Sequence, residues 1–129
     1  MSINKETILS DNAFLVSETD IKGTIIFANK QFCDVSEYTL EELIGKPHNL
    51  IRHEDMPAAA FKDLWETVKS GNVWQGYVKN KTKSGGFYWV YATIYPYKND
   101  NNEQCYISIR RKPSLDEVNK HEQLYKSMR

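Results

Sequence analysis

The segment His-Asn-Leu-Ile-Arg-His-Glu-Asp-Met-Pro, residues 48–57, concentrates the unusual side chains of this 129-residue sequence. Two histidines, one arginine and two carboxylates lie within these ten positions, directly before the start of a predicted helix. Charged and polar groups of this kind are seldom buried unless they are paired. We therefore interpret the segment as the polar mouth of a pocket whose walls come from the rest of the chain.

The residues after this segment predict one long helix, three strands and a terminal helix. Residues 58–71 carry apolar side chains at helical spacing, preceded by a proline that suits a first turn and ended by a glycine. Three runs of strand composition follow, separated by turns, at residues 73–81, 87–95 and 104–111. Residues 113–129 predict a polar helix with a narrow apolar stripe, which suits a stalk, a docking helix or a dimer seam.

The residues before the segment predict a hairpin and two short helices. Strand-like runs at 13–19 and 24–28 flank a turn, and short helices are expected at 30–36 and 39–45. Asn29 stands between the second strand and the first helix, where it suits an N-cap or an amide directed into a pocket. The order of elements predicts an α+β fold with one antiparallel sheet and the helices grouped on one face.

Length, charge and cysteine usage narrow the class of protein. The length suits one domain, which we divide into an N-terminal cap segment (1–12), the domain proper (13–112) and a C-terminal helix (113–129). The 17 basic and 17 acidic residues argue against a nucleic-acid-binding protein, which carries a net basic face. No apolar run suits a membrane span or a signal peptide, so a cytoplasmic location is expected. Cys33 and Cys105 lack metal-ligand spacing and are expected to be buried thiols.

The motif P-H-N-x-x-R-H-x-D-M-P at residues 47–57, together with shorter segments along the chain, resembles the PAS domain of the bacterial aerotaxis receptor family. The resemblance covers residues 10–112, and this central motif is far more specific than a general PAS pattern. It implies a five-stranded antiparallel sheet that holds a ligand against a helical half. It also implies non-covalent binding of FAD, with FMN as the less expected flavin, and a role in reporting redox or oxygen status to the chemotaxis machinery. The matching segments are Ala28-Asn29, Ser36 to Thr39, Gly45 to Asn49, Arg52-His53, Asp55 to Pro57, Ala60-Phe61, Trp65, Gly71, Trp74, Gly76, Val78 to Asn80, Gly85 and Tyr88 to Val90.

The chemistry of a flavin is compatible with the residues in these segments. An isoalloxazine ring needs flat apolar walls, an amide-type partner for its pyrimidine edge and donors for its pyrophosphate. The resemblance and these needs together give nine candidate cofactor-binding residues and neither catalytic nor metal-binding ones. They are Trp65 and Trp74 as walls, Asn80 as the amide, His48, Arg52 and His53 as phosphate donors, and Asn29, Asp55 and Tyr88. Structural roles compete with each: the tryptophans and Tyr88 suit the core, and Arg52 suits a surface pair with a neighbouring carboxylate.

Other functions remain as alternatives at this point. A ligand-free PAS module would act only through protein contacts, and a haem sensor would ligate iron through His48 or His53. A light-driven flavin adduct is not expected, because no cysteine occurs in residues 49–52. An enzyme is least expected, since no nucleophile–base pair appears.

Signalling is expected to pass through the sheet to a partner. A change in hydrogen bonding at Asn80 would reach the outer aromatic face and the C-terminal helix. Those surfaces suit a homodimer or a chemoreceptor-type transducer, and the sequence is either a fragment of a receptor or a free-standing sensor. The candidate contact residues are Phe87, Trp89, Tyr91 and Ile109.

Overall fold

The computed structural model describes residues 4–129, so the first three residues of the expected cap segment lie outside it. The chain forms one five-stranded antiparallel sheet, as predicted, with the strand order β2-β1-β5-β4-β3. The last strand in sequence therefore lies in the middle of the sheet, where it joins the first hairpin to the second. The strands are β1 (Leu15–Asp20), β2 (Ile25–Ala28), β3 (Trp74–Lys81), β4 (Phe87–Lys98) and β5 (Gln104–Arg111).

Three helices cover the inner face of the sheet: α1 (Lys30–Ser36), α2 (Leu40–Leu43) and α3 (Ala58–Lys69). The predicted capping box is confirmed for α2, where Thr39 and Glu42 bond each other's backbone. In α3, Leu64 and Val68 turn inward one turn apart, which is the stripe that the sequence spacing predicts. Strand β4 continues to Lys98, beyond the predicted end, because its last residues pair with β5.

Residues 45–57, here called the strap, connect the two edges of the sheet. At one end, the Ile25 amide of edge strand β2 donates to the Lys46 carbonyl at 2.8 Å. At the other end, Arg52 forms an isolated β-bridge with Asn80 of edge strand β3. A 3-10 helix at His48–Ile51 makes the turn between them. This short helix was not predicted from the sequence, because four residues are too few to show a period.

The C-terminal helix α4 (Leu115–Met128) lies on the opposite, outer face. The Tyr125 hydroxyl donates to the Tyr77 carbonyl at 2.7 Å, and the Tyr125 ring stacks on Trp89 with centroids 6.2 Å apart. The C-terminal helix, which the sequence left open as a stalk, a docking helix or a dimer seam, thus docks on the chain's own sheet, while α1 to α3 group on the other face as predicted. The physical reason is the aromatic outer surface of β3 and β4, which α4 buries: Trp89 is 5% exposed.

The N-terminal segment adds to the cover of the same sheet edge. The Thr7 amide donates to the Phe87 carbonyl at 2.8 Å, and the Phe87 amide donates to the Lys5 carbonyl at 2.9 Å. Trp89 is thus buried by α4, whereas Phe87, Tyr91 and Ile109 remain partly exposed members of the expected contact surface. No helix within residues 4–129 is both long enough and apolar enough to cross a membrane.

Candidate ligand-binding site

A cavity of about 280 Å³ lies between α3, the strap and the inner face of the sheet. Its lining is mainly apolar, and its charged members are two arginines and one lysine with no aspartate or glutamate. A pocket of this kind favours a flat, largely apolar ligand that carries negative charge or acceptor oxygens. The lining residues are Ser17, Thr19, His48, Asn49, Ile51, Arg52, Phe61, Lys62, Leu64, Trp65, Val78, Asn80, Ala92, Ile94, Tyr106, Ser108 and Arg110.

Arg110 is the central polar group of the cavity floor. It is 3% exposed, and its Nη2 donates to Ser17 Oγ at 3.0 Å and lies 2.9 Å from His48 Nε2. Its guanidinium carbon stands 4.9 Å above the centre of the Phe32 ring. No ion pair joins Arg110 to a carboxylate among residues 4–129, and its Nη1 has no hydrogen-bond partner there. Burying a cation without an anion costs free energy, so a ligand atom that accepts a hydrogen bond from Arg110 would be stabilised on the floor.

The titration of the neighbouring groups follows from burial and from this charge. Burial, and next the Arg110 charge, lower the pKa of His48 to about 3. His48 is therefore neutral at physiological pH, and its Nε2 accepts from Arg110, because a guanidinium can only donate. Burial lowers the pKa of Arg110 to about 10, which leaves it protonated at neutral pH.

Two further buried polar atoms lack a partner in the described part of the chain, the hydroxyls of Ser108 and Tyr88. Ser108 lines the cavity beside Arg110 on β5, and Tyr88 pairs with Asn80 across β3 and β4. Burial raises the pKa of Tyr88 to about 12, so its hydroxyl keeps its proton. Because nearly all buried polar groups in folded proteins are hydrogen-bonded, the Ser108 hydroxyl and Arg110 Nη1 mark places for ligand atoms.

The structure brings together four of the nine candidate residues in this lining: His48, Arg52, Trp65 and Asn80. Trp65 packs edge-on against Tyr106, with ring centroids 5.5 Å apart, and so forms part of an aromatic wall. Asn80 is 3% exposed on the inner side of β3. The remaining five candidates lie outside the lining: Asn29, His53, Asp55, Trp74 and Tyr88.

Asn29 uses its whole side-chain amide to join α1 to β1. Its Oδ1 accepts from the amides of Phe32, at 3.0 Å, and Val16, at 3.1 Å, and its Nδ2 donates to the Phe14 carbonyl at 2.8 Å. The capping role, one of the two roles open from the sequence, is confirmed.

We expect Asn29→Ala to lower the free energy of unfolding by about 2–3 kcal/mol, because a helix cap and two further hydrogen bonds are lost. Urea denaturation at equilibrium measures this change. Asn29→Asp keeps the acceptor oxygen and should cost less than half as much. An unchanged free energy of unfolding in Asn29→Ala would contradict the capping role as the main role.

Asp55 and His53 lie at the outer side of the strap. Asp55 accepts from Lys79 Nζ at 2.7 Å through one carboxylate oxygen and from Arg129 Nη1 at 2.8 Å through the other. His53 is 4% exposed, and its ring packs edge-on against Phe87. The hydrogen bond from Lys79 holds the pKa of Asp55 below its usual value, and burial lowers the pKa of His53. These contacts tie the strap to β3 and α4.

Trp74 is a buried residue of the inner face whose indole is committed to α3. Its Nε1 donates to Asp63 Oδ2 at 3.0 Å, and a Cβ at Gly76 would overlap the Trp74 ring. Trp74 thus fastens the end of β3 beneath α3, beside the cavity.

The lining residues that were not predicted from the sequence include Arg110, Ser108, Ser17 and Lys62. The alternation of Tyr106, Ser108 and Arg110 along β5 carried a signal, since residues two apart share a face of a strand. Arg110 is followed by Arg111 near the end of a strand, and two adjacent arginines there usually indicate exposed side chains. Arg110 was therefore not selected as a site residue.

A family model described as the PAS fold matches residues 25–110. The chain belongs to the PAS family.

The resemblance of this PAS domain to aerotaxis receptors is confirmed by its similarity to known proteins. It is 45% identical to the aerotaxis receptor of Escherichia coli K12 over 124 residues, which cover 96% of this chain and 24% of the receptor. It is 28% identical to the nitrogen fixation regulatory protein of Klebsiella oxytoca over 110 residues, which cover 84% of this chain and 22% of that protein. The PAS domain thus spans about a quarter of the length of these relatives.

Solved structures share its fold at low sequence identity. The dark-state LOV domain of the blue-light photoreceptor Aureochrome1 has a TM-score of 0.71 at 17% identity and covers 86% of each chain. A light-oxygen-voltage domain examined with a flavin analogue has a TM-score of 0.71 at 18% identity and covers 90% of this chain and 87% of that chain. Within residues 4–129, no group of three or more His, Cys, Asp or Glu side chains is placed to hold a metal ion.

Proposed function

We propose that this PAS domain is a sensor that binds a flavin nucleotide non-covalently in its cavity and reports redox or oxygen status to a signalling partner. The observation that carries the proposal is buried Arg110, whose free Nη1 stands on the floor of an apolar cavity lined by no carboxylate. The resemblance to the aerotaxis receptor family favours FAD over FMN.

The residues of the cavity fit the parts of a flavin. Trp65, Val78 and Ile94 offer apolar walls for a planar ring. Arg110 Nη1 and the Ser108 hydroxyl are donors that suit the acceptor atoms of a pyrimidine edge, and the Asn80 amide suits a paired carbonyl and N–H. When bound, a flavin supplies reversible one- and two-electron transfer. The chain's own residues hold and orient the ring, exclude water and set the charge around it.

Neutral His48 has a supporting role on the floor of the site. Its Nε2 and the Ser17 hydroxyl both lie within 3.0 Å of Arg110 Nη2. These two contacts fix the guanidinium so that its other nitrogen, Nη1, faces an incoming ligand. A second positive charge does not form beside it, because the pKa of His48 is about 3.

A route from the cavity to α4 runs through β3 and the strap. Asn80 faces the cavity, whereas its neighbour Lys79 faces outward and pairs with Asp55. Asp55 also pairs with Arg129, next to the end of α4. A change in hydrogen bonding at Asn80 would thus move the residues that hold α4. We propose that α4 and the partly exposed outer strands contact the partner, which is a second copy or a chemoreceptor-type transducer.

The visible spectrum of the purified protein tests the proposed function. We expect flavin absorption bands that bleach with dithionite and return in air, and mass spectrometry of the heat-released nucleotide to identify FAD. A Soret band would support the haem alternative. A colourless protein that takes up neither FAD nor FMN would refute the proposal and favour a ligand-free module.

A further inference from the structure

The rim of the cavity carries two cations, Arg52 and Lys62, from different elements. Arg52 belongs to the strap, and its guanidinium carbon lies 4.2 Å above the centre of the Phe61 ring. Lys62 follows Phe61 in α3 and is exposed. Both line the cavity. The contact with Phe61 therefore brings the Arg52 charge to the part of α3 from which Lys62 projects.

Neither cation has an acidic partner within residues 4–129. Of the 15 other basic residues, five form ion pairs with carboxylates: Lys30, Lys79, Lys83, Lys112 and Arg129. Arg52 and Lys62 differ from the other unpaired surface cations in that both line the cavity. Asp63, the residue after Lys62, accepts from the Trp74 indole and so is committed elsewhere. The rim thus presents two positive charges that the protein leaves without an anion, which is the arrangement expected of a phosphate subsite.

The two histidines that the sequence offered as further phosphate donors are placed elsewhere. His48 lies on the floor, within 2.9 Å of Arg110 Nη2. His53 is buried against Phe87, outside the cavity. Of the donors expected for a phosphate, only Arg52 stands at the rim, and the structure supplies Lys62 as the second cation there.

We infer that Arg52 and Lys62 form the subsite for the phosphate tail of the ligand, and that Lys62 makes the cavity select phosphorylated flavins over riboflavin. The ligand named here rests on the proposed function. The polarity of the whole cavity supports the inference: donors for the ring edge lie on the floor, apolar walls follow, and the two cations stand at the open end. The ribityl chain leaves the ring at N10, beside the pyrimidine part, and would run along a cavity wall to bring its phosphate to these two cations.

The expected size of the effect follows from the exposure of Lys62. An exposed ammonium gains less from an anion than a buried one, because water and salt screen the attraction. We expect Lys62→Gln to weaken the binding of FAD and FMN about three- to tenfold and to leave riboflavin binding unchanged. The difference should shrink at high ionic strength.

Titration of the flavin-free full chain with FAD, FMN and riboflavin, followed by quenching of flavin fluorescence, tests this inference. Lys120→Gln is the matched control, since Lys120 is an exposed lysine in a helix far from the cavity. Lys62→Arg should retain the preference for phosphorylated flavins, because the charge is kept. Circular dichroism would show that all variants fold alike. If Lys62→Gln weakens the binding of FAD and FMN equally, Lys62 contacts the phosphate that the two flavins share. If it weakens the binding of FAD more, Lys62 contacts the second phosphate, which only FAD carries.

The outcomes separate this inference from the proposed function. If the wild-type chain binds flavins and Lys62→Gln changes the affinities for FAD, FMN and riboflavin equally, or not at all, the subsite is refuted and the flavin site stands. If the wild-type chain binds none of the three, both are refuted.

Discussion

Replacing Arg110 by methionine should weaken the proposed flavin binding roughly a hundredfold and, in the ligand-free protein, raise the free energy of unfolding. The loss of affinity follows from the removal of a charged donor from the floor of a mainly apolar cavity, worth about 2–3 kcal/mol. The gain in stability, about 1–3 kcal/mol, follows from the removal of a buried cation that no carboxylate compensates. Ser17 Oγ and His48 Nε2, 3.0 Å apart, would still hydrogen-bond to each other.

The same substitution should change how stability depends on pH. In the wild-type protein the pKa of His48 falls from 6.5 to about 3, so the folded state resists protonation. Stability is therefore lost as pH falls below 6.5, where the unfolded chain binds the proton more readily. Without the Arg110 charge the pKa of His48 rises. The ligand-free methionine variant should therefore lose less stability than the wild type as the pH falls from 6.5 to about 3, the pKa of His48 in the wild-type protein.

Urea unfolding across this pH range and flavin titration together measure both effects. Arg111→Met is the matched control, since Arg111 is an exposed neighbour whose guanidinium lies over the Phe14 ring, away from the cavity. It should change neither flavin affinity nor the acid sensitivity. A destabilised Arg110→Met protein that keeps wild-type flavin affinity would contradict the role given to Arg110.

Replacing Asp55 by alanine should destabilise the fold and loosen α4. The side chain of Lys79 is 8% exposed, and its ammonium lies 2.7 Å from Asp55 and 4.4 Å from the centre of the Phe87 ring. Breaking a buried pair typically costs about 3–5 kcal/mol, because an uncompensated charge remains. The Asp55 carboxylate is 38% exposed, so solvent screening lowers the expected cost to about 2–3 kcal/mol.

The pH dependence of this effect has a definite sign. The folded protein holds the pKa of Asp55 below the ordinary value of 3.8. The stabilising contribution is complete above pH 3.8 and is lost as pH falls through the lower folded value. The difference between wild type and Asp55→Ala should thus be constant near neutral pH and vanish in acid.

Urea unfolding measures the cost, and hydrogen exchange of the α4 amides measures the loosening. Asp34→Ala, which breaks the exposed pair between Lys30 and Asp34, is the control and should cost no more than about 0.5 kcal/mol. Unchanged protection of α4 in Asp55→Ala would show that the ion pair with Arg129 does not hold the helix.

Local patterns were sufficient to predict the sheet and most helices. The alternation along β4 separated Ala92 and Ile94, which line the cavity, from Trp89 on the outer face. The chemistry of single turns likewise predicted the capping box at Thr39 and gave the helix cap as one of the two roles open to Asn29. These features depend on neighbours within a few residues, so the sequence contains the whole signal.

The cavity floor and the position of α4 could not be predicted in the same way. Arg110 meets Ser17 and His48, which are 93 and 62 residues away, and only the strand order brings them together. The narrow apolar stripe of α4 is compatible with packing on the chain's own sheet and with packing on a partner protein, so the sequence pattern could not distinguish the two. The strap residues were found by composition, but composition did not separate His48 and Arg52, which line the cavity, from His53 and Asp55, which do not.

The strap also affects how this domain behaves at high concentration. An outermost strand with free backbone groups is a template on which other chains add and polymerise. Here Lys46 occupies part of one margin and Arg52 part of the other. Another chain could add to the β2 or β3 edge at these points only after the strap had dissociated from that edge. Because Arg52 also lines the cavity, a ligand that contacted it would hold the strap on the β3 edge and so keep that edge closed to other chains.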